Sequence, residues 1–528
     1  MPRFALSIRS IPPVLLIALV GLPVLVAVWA GLTAGGGATW DHILQNRLVP
    51  YSLTTIWVLI LAGLLMFAIA VPAAWVISLF DFPGRRVFSW ALILPLAMPG
   101  YVMAYAWADL MGVAGPLQSS IRDATGWSAR DYWFPNLFSV PGLAFVLAST
   151  LFPYVYITAR AAFTMQSAAT LEAARSLGTT GWGLFARVGL PVAIPAVLGG
   201  LSLALMEAAA DYGAAEFLGI QTLGVGIVRS WNSFGEPNTA ARLALALIFI
   251  AGSFFIIAKL FQGQRGTQQT SSRWLNPRRT ELPPQSAWIA TLSYTLILLI
   301  CFFAPVARLL WLAIESRATA VELWPLVQSS VILGTMGTIG AFIAALVFTL
   351  STKRNRELRF GARLVAAAGY AAPGVVLGLG ALFILRETGQ ALTGWVAIGF
   401  LLWIYVSRFT SAGVEPLQAT LERLPKNLDN AARSLGARGM NQFVRVDVPL
   451  LAPGALAAGL ILFVEILKEL PATLMLRPFG WDTLAVRAHA YATDERLAQA
   501  TLPALLIVLA GLGPVLLLSW RLSRTERT

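Results

Sequence analysis

The sequence has few charged residues: only 12% of its 528 positions are Asp, Glu, Lys or Arg, against roughly 25% in a typical soluble protein. Hydrophobic residues make up 57% of the chain, and the mean hydropathy is +0.73. A soluble fold cannot hide so much apolar side chain, because a large part of its surface stays in water. The composition excludes a soluble enzyme, a nucleic-acid-binding protein and a disordered scaffold, and it indicates a polytopic membrane protein.

Residues that bind metals or nucleotides are also scarce. The single cysteine, Cys301, excludes an intramolecular disulfide, and His42 and His489 are too few for a histidine–cysteine metal site. We expect His489 to be an ordinary surface residue. None of the four lysines follows a glycine, so the phosphate-binding loop GxxxxGK[ST] is absent. We therefore expect this chain to bind no cofactor and to have no fixed metal site.

Apolar segments of about 20 residues, the length that a helix needs to cross the hydrocarbon layer, recur along the whole chain. They predict an all-α polytopic membrane protein with about twelve transmembrane helices. The predicted spans of the first half are residues 11–33, 52–79, 88–112, 137–162, 192–218 and 240–261. Those of the second half are residues 287–314, 329–351, 362–385, 392–413, 450–475 and 499–520. Pro95, Pro99 and Gly100 are expected to interrupt the third span, and Pro373 and Gly374 the ninth.

The positions of the basic residues predict the orientation in the membrane. The net charge of +13 is concentrated between spans, most densely at residues 353–356 and 273–279, and such clusters favour cytoplasmic loops. With an even number of spans, both termini then lie in the cytoplasm. The first apolar segment is too long for a cleaved signal peptide, so we expect it to stay as a membrane helix.

A polar segment rich in Ser, Thr and Arg divides the chain into halves of similar length, and its composition is typical of a cytoplasmic linker. The predicted division is as follows: an N-terminal helix and outer loop (1–50), a first transmembrane domain (51–261), the linker (262–286), a seventh helix with its outer loop (287–324) and a second transmembrane domain (325–521).

The two halves share an internal repeat. The run from Ala173 to Gly178 recurs letter for letter from Ala431 to Gly436, and the matches continue at the same offset of 258 residues as far as Glu207 and Glu465. A register held so far without a gap indicates a duplicated segment. A mere connector between spans is the alternative, but a connector has no reason to keep its register twice.

Each copy predicts a short Ala-rich helix on the cytoplasmic face. Gly178 and Gly436 suit a left-handed turn at its end, and Pro191 and Pro449 suit the start of the next span. In the first copy, the spacing of residues 172–191 is E-A-A-x3-G-x9-[hydrophobic]-x-L-P. This pattern resembles the EAA loop of type I binding-protein-dependent ABC importer permeases. The second copy has Asn430 in place of the glutamate.

The resemblance implies two tandem type I importer halves in one chain, with coupling as the role of the loops. In this family the loop docks on a separate ATPase subunit, so the permease chain is not itself an enzyme. We expect two ABC ATPase subunits carrying ATP-Mg, a periplasmic solute-binding protein and membrane lipid as partners, no nucleic acid, and a bacterial inner membrane as the location. The expected ATPase-coupling residues are Glu172, Ala173, Ala174, Gly178, Pro191, Asn430, Ala431, Ala432, Gly436 and Pro449.

The fused two-half form and the stretches at residues 206–213 and 468–474 further resemble ferric-iron importer permeases. This likeness implies transport of ferric iron. Permeases for thiamine, sulfate, phosphonate and polyamines share the EAA loop, so those substrates stay open. An ion-coupled secondary transporter and a non-transporting membrane component are further alternatives, but neither explains the paired loops.

Charged side chains inside the predicted spans are costly in a bilayer, so they mark a pathway, a pair or a buried network. Glu207 and Asp211 lie four residues apart on one helical face, and Glu465 and Glu469 repeat that spacing beside Lys468. We expect these five residues to line the translocation path, where carboxylate oxygens favour a hard cation. The alternative is that they are gate or packing residues, with Lys468 neutralising one carboxylate.

Overall fold

The structure is a computed structural model, and it describes residues 11–164, 168–179, 181–262, 279–315, 323–354, 372–422, 434, 440–442, 445–446 and 448–525. Most of these residues are helical. Among the described residues, the only strands are β1 (Phe80–Asp81) and β2 (Thr280–Glu281), which pair in parallel over two residues. The predicted all-α class is confirmed.

The helices of the first half fall into long membrane-type segments and short connecting ones. They are α1 (Ile11–Thr33), α2 (Ala38–Asn46), α3 (Leu48–Leu79), α4 (Arg85–Ala91), α5 (Gly100–Met111), α6 (Pro116–Thr125), α7 (Val140–Thr164), α8 (Ala168–Ser176), α9 (Gly181–Leu184), α10 (Leu190–Ala210), α11 (Gly213–Phe217), α12 (Leu223–Asn232) and α13 (Pro237–Gln262). A π-helical turn, Phe185–Gly189, joins α9 to α10.

The second half has a similar mixture. Its helices are α14 (Pro284–Leu298), α15 (Ala304–Glu315), α16 (Trp324–Arg354), α17 (Gly374–Glu387), α18 (Gly394–Glu422), α19 (Met440–Gln442), α20 (Val448–Leu467), α21 (Pro471–Leu476), α22 (Leu484–Thr493) and α23 (Leu497–Thr525). A second π-helical turn, Leu299–Phe303, joins α14 to α15.

Nine segments of the described chain are long and apolar enough to cross a membrane. The pair Arg85–Ala97 and Gly100–Thr125, bent by 94° at its break, is a tenth candidate. The membrane class is therefore confirmed. The count of twelve stays a prediction, because Gly454–Leu467 is a shorter apolar helix and the predicted span 362–385 lies partly outside the described residues.

Several of the apolar segments are broken. The third span is interrupted as expected: a 3-10 turn (Leu94–Ala97) is followed by extended backbone at Pro99, and α5 then begins at Gly100. The predicted spans 192–218 and 450–475 were expected to be continuous, and this is wrong. Helix α10 ends at Ala210 and α11 resumes at Gly213, while α20 ends at Leu467 and α21 resumes at Pro471. Apolar length locates a span but carries no signal for a break within it.

The described chain forms two compact units, and each contains segments from both halves of the sequence. The first unit holds Met1–Gly35, Pro237–Ala244 and Thr319–Arg487. The second unit holds Gly36–Glu236, Leu245–Ala318 and Ala488–Thr528. The predicted domain division follows the repeats of the sequence, and it stays a prediction.

In the first unit, α1 packs along α17 and also contacts α16 and α18. The indole N–H of Trp403 donates to the carbonyl oxygen of Leu19 at 2.9 Å, which ties α18 to α1. Helices α16, α18 and α20 pack together around the fully buried residues Ala345, Leu417 and Ala458. Small residues at such a contact let membrane helices approach closely.

In the second unit, α3 packs along both α7 and α10. The ring of Trp75 lies 5.1 Å from that of Phe163 and 5.4 Å from that of Phe185, measured between centroids, so aromatic packing fixes the start of α10 against α3 and α7. Helix α23 packs against α15 and against the 3-10 turn at residues 94–97.

Both units use the same hydroxyl anchor to hold the short helix that follows a break. In the second unit, the backbone N–H of Leu223 at the start of α12 donates to Thr55 Oγ1 on α3 at 3.0 Å. In the first unit, the N–H of Leu484 at the start of α22 donates to Ser330 Oγ on α16 at 2.7 Å. The repeated anchor supports the internal duplication found in the sequence.

Candidate functional site

The first predicted coupling loop forms a short helix followed by a tight turn. Helix α8 contains Glu172, Ala173 and Ala174, of which the first two are exposed. Gly178 has φ of +84°, and the N–H of Thr179 donates to the carbonyl oxygen of Ala174 at 3.0 Å. The predicted left-handed turn at Gly178 is confirmed. A glycine suits this position because it has no Cβ to clash in the left-handed region.

Two large apolar side chains of this segment lie in the open. Leu177 is 85% exposed and Trp182 is 74% exposed. Pro191 is also exposed and occupies the second position of α10, directly after the π-helical turn Phe185–Gly189. Exposed apolar side chains next to polar ones are typical of a surface that binds another protein.

Most of the second predicted loop lies outside the described residues. This applies to Asn430, Ala431, Ala432 and Gly436. Pro449 is described: it is exposed and lies at the second position of α20, as Pro191 does in α10. The coupling role of both loops stays a prediction.

The predicted path carboxylates of the first repeat lie at the end of α10. Glu207 is partly buried within the helix, and Asp211 lies in the break before α11. Asp211 Oδ1 accepts the N–H of Ala214 at 2.8 Å, so this carboxylate caps α11. Asp211 also lines a small pocket whose other walls are mainly apolar. Thr55, Leu59 and Leu147 are among its lining residues.

The equivalent carboxylate of the second repeat, Glu469, is 5% exposed and caps α21. Its Oε1 accepts the N–H of Ala472 at 2.9 Å, and its Oε2 accepts the N–H of Thr473 at 2.9 Å. Arg408 Nη1 lies 3.2 Å from Oε1 and forms a buried ion pair. A buried pair needs both partners, since removing one leaves a charge uncompensated.

The other two charges of the second repeat pair with each other. Lys468 Nζ lies 2.7 Å from Glu465 Oε1, and both side chains are largely buried. Among the predicted path residues of this repeat, each charged group therefore has an ion-pair partner in this state of the protein. Their role in the path remains a prediction.

A glycine adjoins each capping carboxylate, and the sequence alone did not indicate this contact. A Cβ built on Gly100 would lie 2.7 Å from Asp211 Oδ2, and one built on Gly374 would clash with Arg408 Nη1 and lie 2.7 Å from Glu469 Oε1. The proline–glycine steps that open α5 and α17 thus make room for the carboxylates that cap α11 and α21. The sequence signal was a proline followed by glycine in each of two predicted spans, at Pro99–Gly100 and at Pro373–Gly374.

Arg408 was not predicted as a site residue, and His489 was predicted to lie at the surface. Arg408 is a charge inside the predicted span 392–413, and this position alone could have marked it. The expectation that His489 lies at the surface is wrong, because its side chain is 3% exposed and contacts Tyr105 and Glu216. A single histidine in a loop-rich stretch gives no sequence signal of burial.

The described residues contain no group of three or more His, Cys, Asp or Glu side chains arranged to hold a metal ion. Asp211 and Glu469 cap helices, and Glu465 and Glu469 form ion pairs.

The sequence also matches known proteins. Residues 68–265 match the family profile described as binding-protein-dependent transport system inner membrane component. The Fe(3+)-transport system permease protein FbpB 2 of Haemophilus influenzae is 22% identical over 519 residues, which cover 96% of this chain and 97% of the relative.

Two further relatives differ in how much of the chain they cover. The probable ABC transporter permease protein y4fN of Sinorhizobium fredii is 24% identical over 95% of this chain and 93% of its own length. The sulfate transport system permease protein CysW of Escherichia coli is 29% identical over 39% of this chain and 72% of its own length.

Proposed function

We propose, on the premise that residues 68–265 form a permease domain of the binding-protein-dependent ABC import systems, that the whole chain builds the translocation path of a ferric-iron importer. In this proposal the chain lies in a bacterial inner membrane with both termini in the cytoplasm. Two ATPase subunits bind ATP-Mg and drive it, and a periplasmic binding protein delivers the iron. The chain is a membrane-embedded permease subunit and not an enzyme.

The observation that carries the proposal of coupling is the exposed segment α8 with its left-handed turn. Leu177 in the turn after α8 and Trp182 in α9 are exposed and offer apolar area to a partner, and Gly178 supplies the left-handed turn that ends α8. A docking element must transmit force, so it needs a fixed connection to the next span. The π-helical turn Phe185–Gly189 continues the segment directly into α10.

The proposal of ferric iron has separate support. The relative that is named as an Fe(3+)-transport permease spans nearly the full fused chain. Oxygen ligands suit a hard cation, and in the first repeat Glu207 and Asp211 supply carboxylates near the break of α10. In the second repeat, Lys468 and Arg408 compensate Glu465 and Glu469, so there the charges favour a gating role.

Sulfate is the second candidate, because the sulfate permease relative has the higher identity over its shorter match. Its disadvantage is charge: carboxylates in a medium of low dielectric constant repel an anion.

The test is uptake into proteoliposomes that contain the chain and its ATPase subunits and are loaded with ATP-Mg. Labelled ferric iron on the binding protein and labelled sulfate are offered separately. We expect iron to accumulate several-fold above vesicles without ATP. The proposal of iron would be overturned if sulfate accumulates instead, or if the ATPase is stimulated while neither substrate accumulates. Uptake that persists without any ATPase subunit would overturn the importer itself.

A further inference from the structure

The connection between α5 and α7 is much longer than its counterpart in the second half of the chain. Residues 112–139 join α5 to α7, whereas only residues 388–393 join α17 to α18. Both connections follow a helix that opens with a proline–glycine step, and both lead to the helix before a predicted coupling loop. The first half therefore carries an insertion here, for which the transport scheme above has no role. An insertion in one copy of a repeat often forms a binding surface.

Helix α6, within this insertion, turns polar side chains toward the protein. Gln118 is only 8% exposed, and its Nε2 donates to the carbonyl oxygen of Met111 at 2.8 Å. One helical turn later, Arg122 Nη2 donates to the carbonyl oxygen of Val113 at 2.6 Å. The hydroxyl of Tyr132 donates to Gln118 Oε1 at 2.9 Å, which ties the chain after α6 to the same side. These bonds hold α6 beside the end of α5.

A second side of α6 is apolar and faces outward. Leu117 and Ile121 lie four residues apart, and Ala124 follows three residues later, so the three share one face of the helix. Leu117 is 42% exposed, and Ala124 is exposed as well. A third side carries Ser120 and Asp123, which are also exposed. Adjacent apolar and polar sides that both face outward are typical of a helix that lies in a membrane interface.

The chain that follows α6 adds exposed aromatic side chains. Trp133 is 85% exposed, and the half-exposed ring of Trp127 stacks on that of Tyr132 with their centroids 6.3 Å apart. Tryptophan concentrates where hydrocarbon meets headgroups, because its ring has a large apolar area and a polar N–H. The charged residues at positions 112–139 are two arginines and two aspartates, so this stretch has no net charge. Apolar contact, rather than attraction to anionic headgroups, must therefore supply any binding to a membrane.

The α6 segment, defined as residues 112–139, adjoins a surface that faces lipid. Asp109, near the end of α5, forms an ion pair with Arg308 on α15. Helix α15 belongs to the candidate membrane span Pro284–Glu315, and after Arg308 it exposes three large apolar side chains, Leu310, Trp311 and Ile314. Apolar side chains that are exposed on a membrane span contact lipid. Because α6 is bonded to the end of α5, and α5 is bonded there to α15, the exposed face of α6 lies at the edge of this lipid-facing surface.

We propose that the α6 segment is a lipid-binding element that lies flat on the membrane. Leu117, Ile121 and Ala124 enter the boundary between headgroups and acyl chains, and Trp127 and Trp133 lie at the level of the headgroups. The ligand is phospholipid, held by apolar contact and not by headgroup charge. The segment lies at the end of α7 away from α8, which is the outer face in the orientation proposed above. The element goes beyond the proposed function, since it depends neither on iron nor on ATP.

Nitroxide spin labels on two neighbouring residues test the proposal. The full-length chain with Cys301→Ala, which removes its single cysteine, receives either Ala124→Cys or Asp123→Cys and is labelled in phosphatidylcholine nanodiscs. Asp123→Cys is the matched control, because both residues are exposed but lie on different sides of α6. Molecular oxygen concentrates in lipid, whereas a nickel chelate stays in water. We expect the ratio of relaxation by oxygen to relaxation by nickel to be several-fold higher at position 124 than at position 123, with or without added phosphatidylglycerol.

Equal ratios at the two positions would overturn the proposal, and so would a difference that appears only with phosphatidylglycerol. A label at position 124 that nickel reaches until the periplasmic binding protein is added would assign the face to that protein instead of lipid. A label that neither reagent reaches would mean that protein covers the face. If Ala124→Cys does not fold, Leu117→Cys on the same face replaces it. The sample contains no substrate, ATP or ATPase subunit, so failure here leaves the proposal of an iron importer unaffected.

Discussion

At the residue scale, both units place a glycine against a capping carboxylate. Gly100 adjoins Asp211 in the second unit, and Gly374 adjoins Glu469 in the first. The two contacts share a geometry although one carboxylate is an aspartate and the other a glutamate. A device retained in both copies of a duplicated fold indicates that the break in the helix depends on it.

Gly100→Ala and Gly374→Ala should each destabilise the protein by about 1–3 kcal/mol, the usual cost of forcing extra atoms into a packed site. At Gly100 the added Cβ displaces the carboxylate of Asp211 that caps α11, and at Gly374 it displaces both Arg408 and Glu469 and disturbs their ion pair. Thermal unfolding of the purified protein measures the effect. Gly459→Ala is the control, because a Cβ there meets no atom within 4 Å; a similar loss in the control would contradict the explanation.

What the sequence could predict at this scale was the identity of the carboxylates, not their partners. Charges in apolar segments are visible by inspection, so Glu207, Asp211, Glu465, Lys468 and Glu469 were all found. Arg408 has the same signal but is the single charged residue of its predicted span, whereas the other charges come two or three to a span. The burial of His489 depends on contacts with residues hundreds of positions away, and no local pattern encodes them.

At the element scale, length and apolar composition predicted most spans to within a few residues. The breaks at Asp211 and at residues 468–470 escaped this reasoning, because the apolar character continues across them. The first coupling segment was predicted well. Its helix, its glycine turn and its proline are all local features, and local features are what a sequence specifies best.

Gly178→Ala should weaken docking of the ATPase subunit by about fivefold, because a non-glycine residue at positive φ costs about 1 kcal/mol. The measurement is the affinity of the purified chain for its ATPase subunit. Gly126→Ala is the matched control: Gly126 has φ of +72° and, like Gly178, no atom near a built Cβ, but it follows α6 in another loop. Equal losses in both variants would assign the effect to general destabilisation.

At the scale of the whole molecule, the two compact units do not coincide with the two halves of the sequence. Helix α1 belongs to the unit that holds α16, α17 and α18, and a Cβ on Gly380 of α17 would clash with the backbone of Pro23. The repeats are local in sequence and could be recognised. The exchange of an end helix between units is decided by long-range packing, which leaves no periodic signal.

A chain cut within the predicted linker tests this exchange. We expect the two fragments to be recovered together through the contacts of α15 and α23 in the second unit, and α17 and α18 to become more accessible to protease when residues 1–35 are deleted. The reason is that α1 covers the apolar faces of α17 and α18. Supplying residues 1–35 as a separate peptide should restore the protection. Unchanged protection without residues 1–35 would mean that α1 contributes little to the first unit.

The contact between Trp403 and Leu19 joins residues 384 positions apart, and this separation has a consequence for biogenesis. A ribosome adds roughly 5–20 residues per second, so the first helix waits for the order of half a minute before its neighbours are made. During that interval lipid, an insertion factor or a chaperone must shield it. The earliest part of the polypeptide to enter the bilayer is thus among the last to reach its final position.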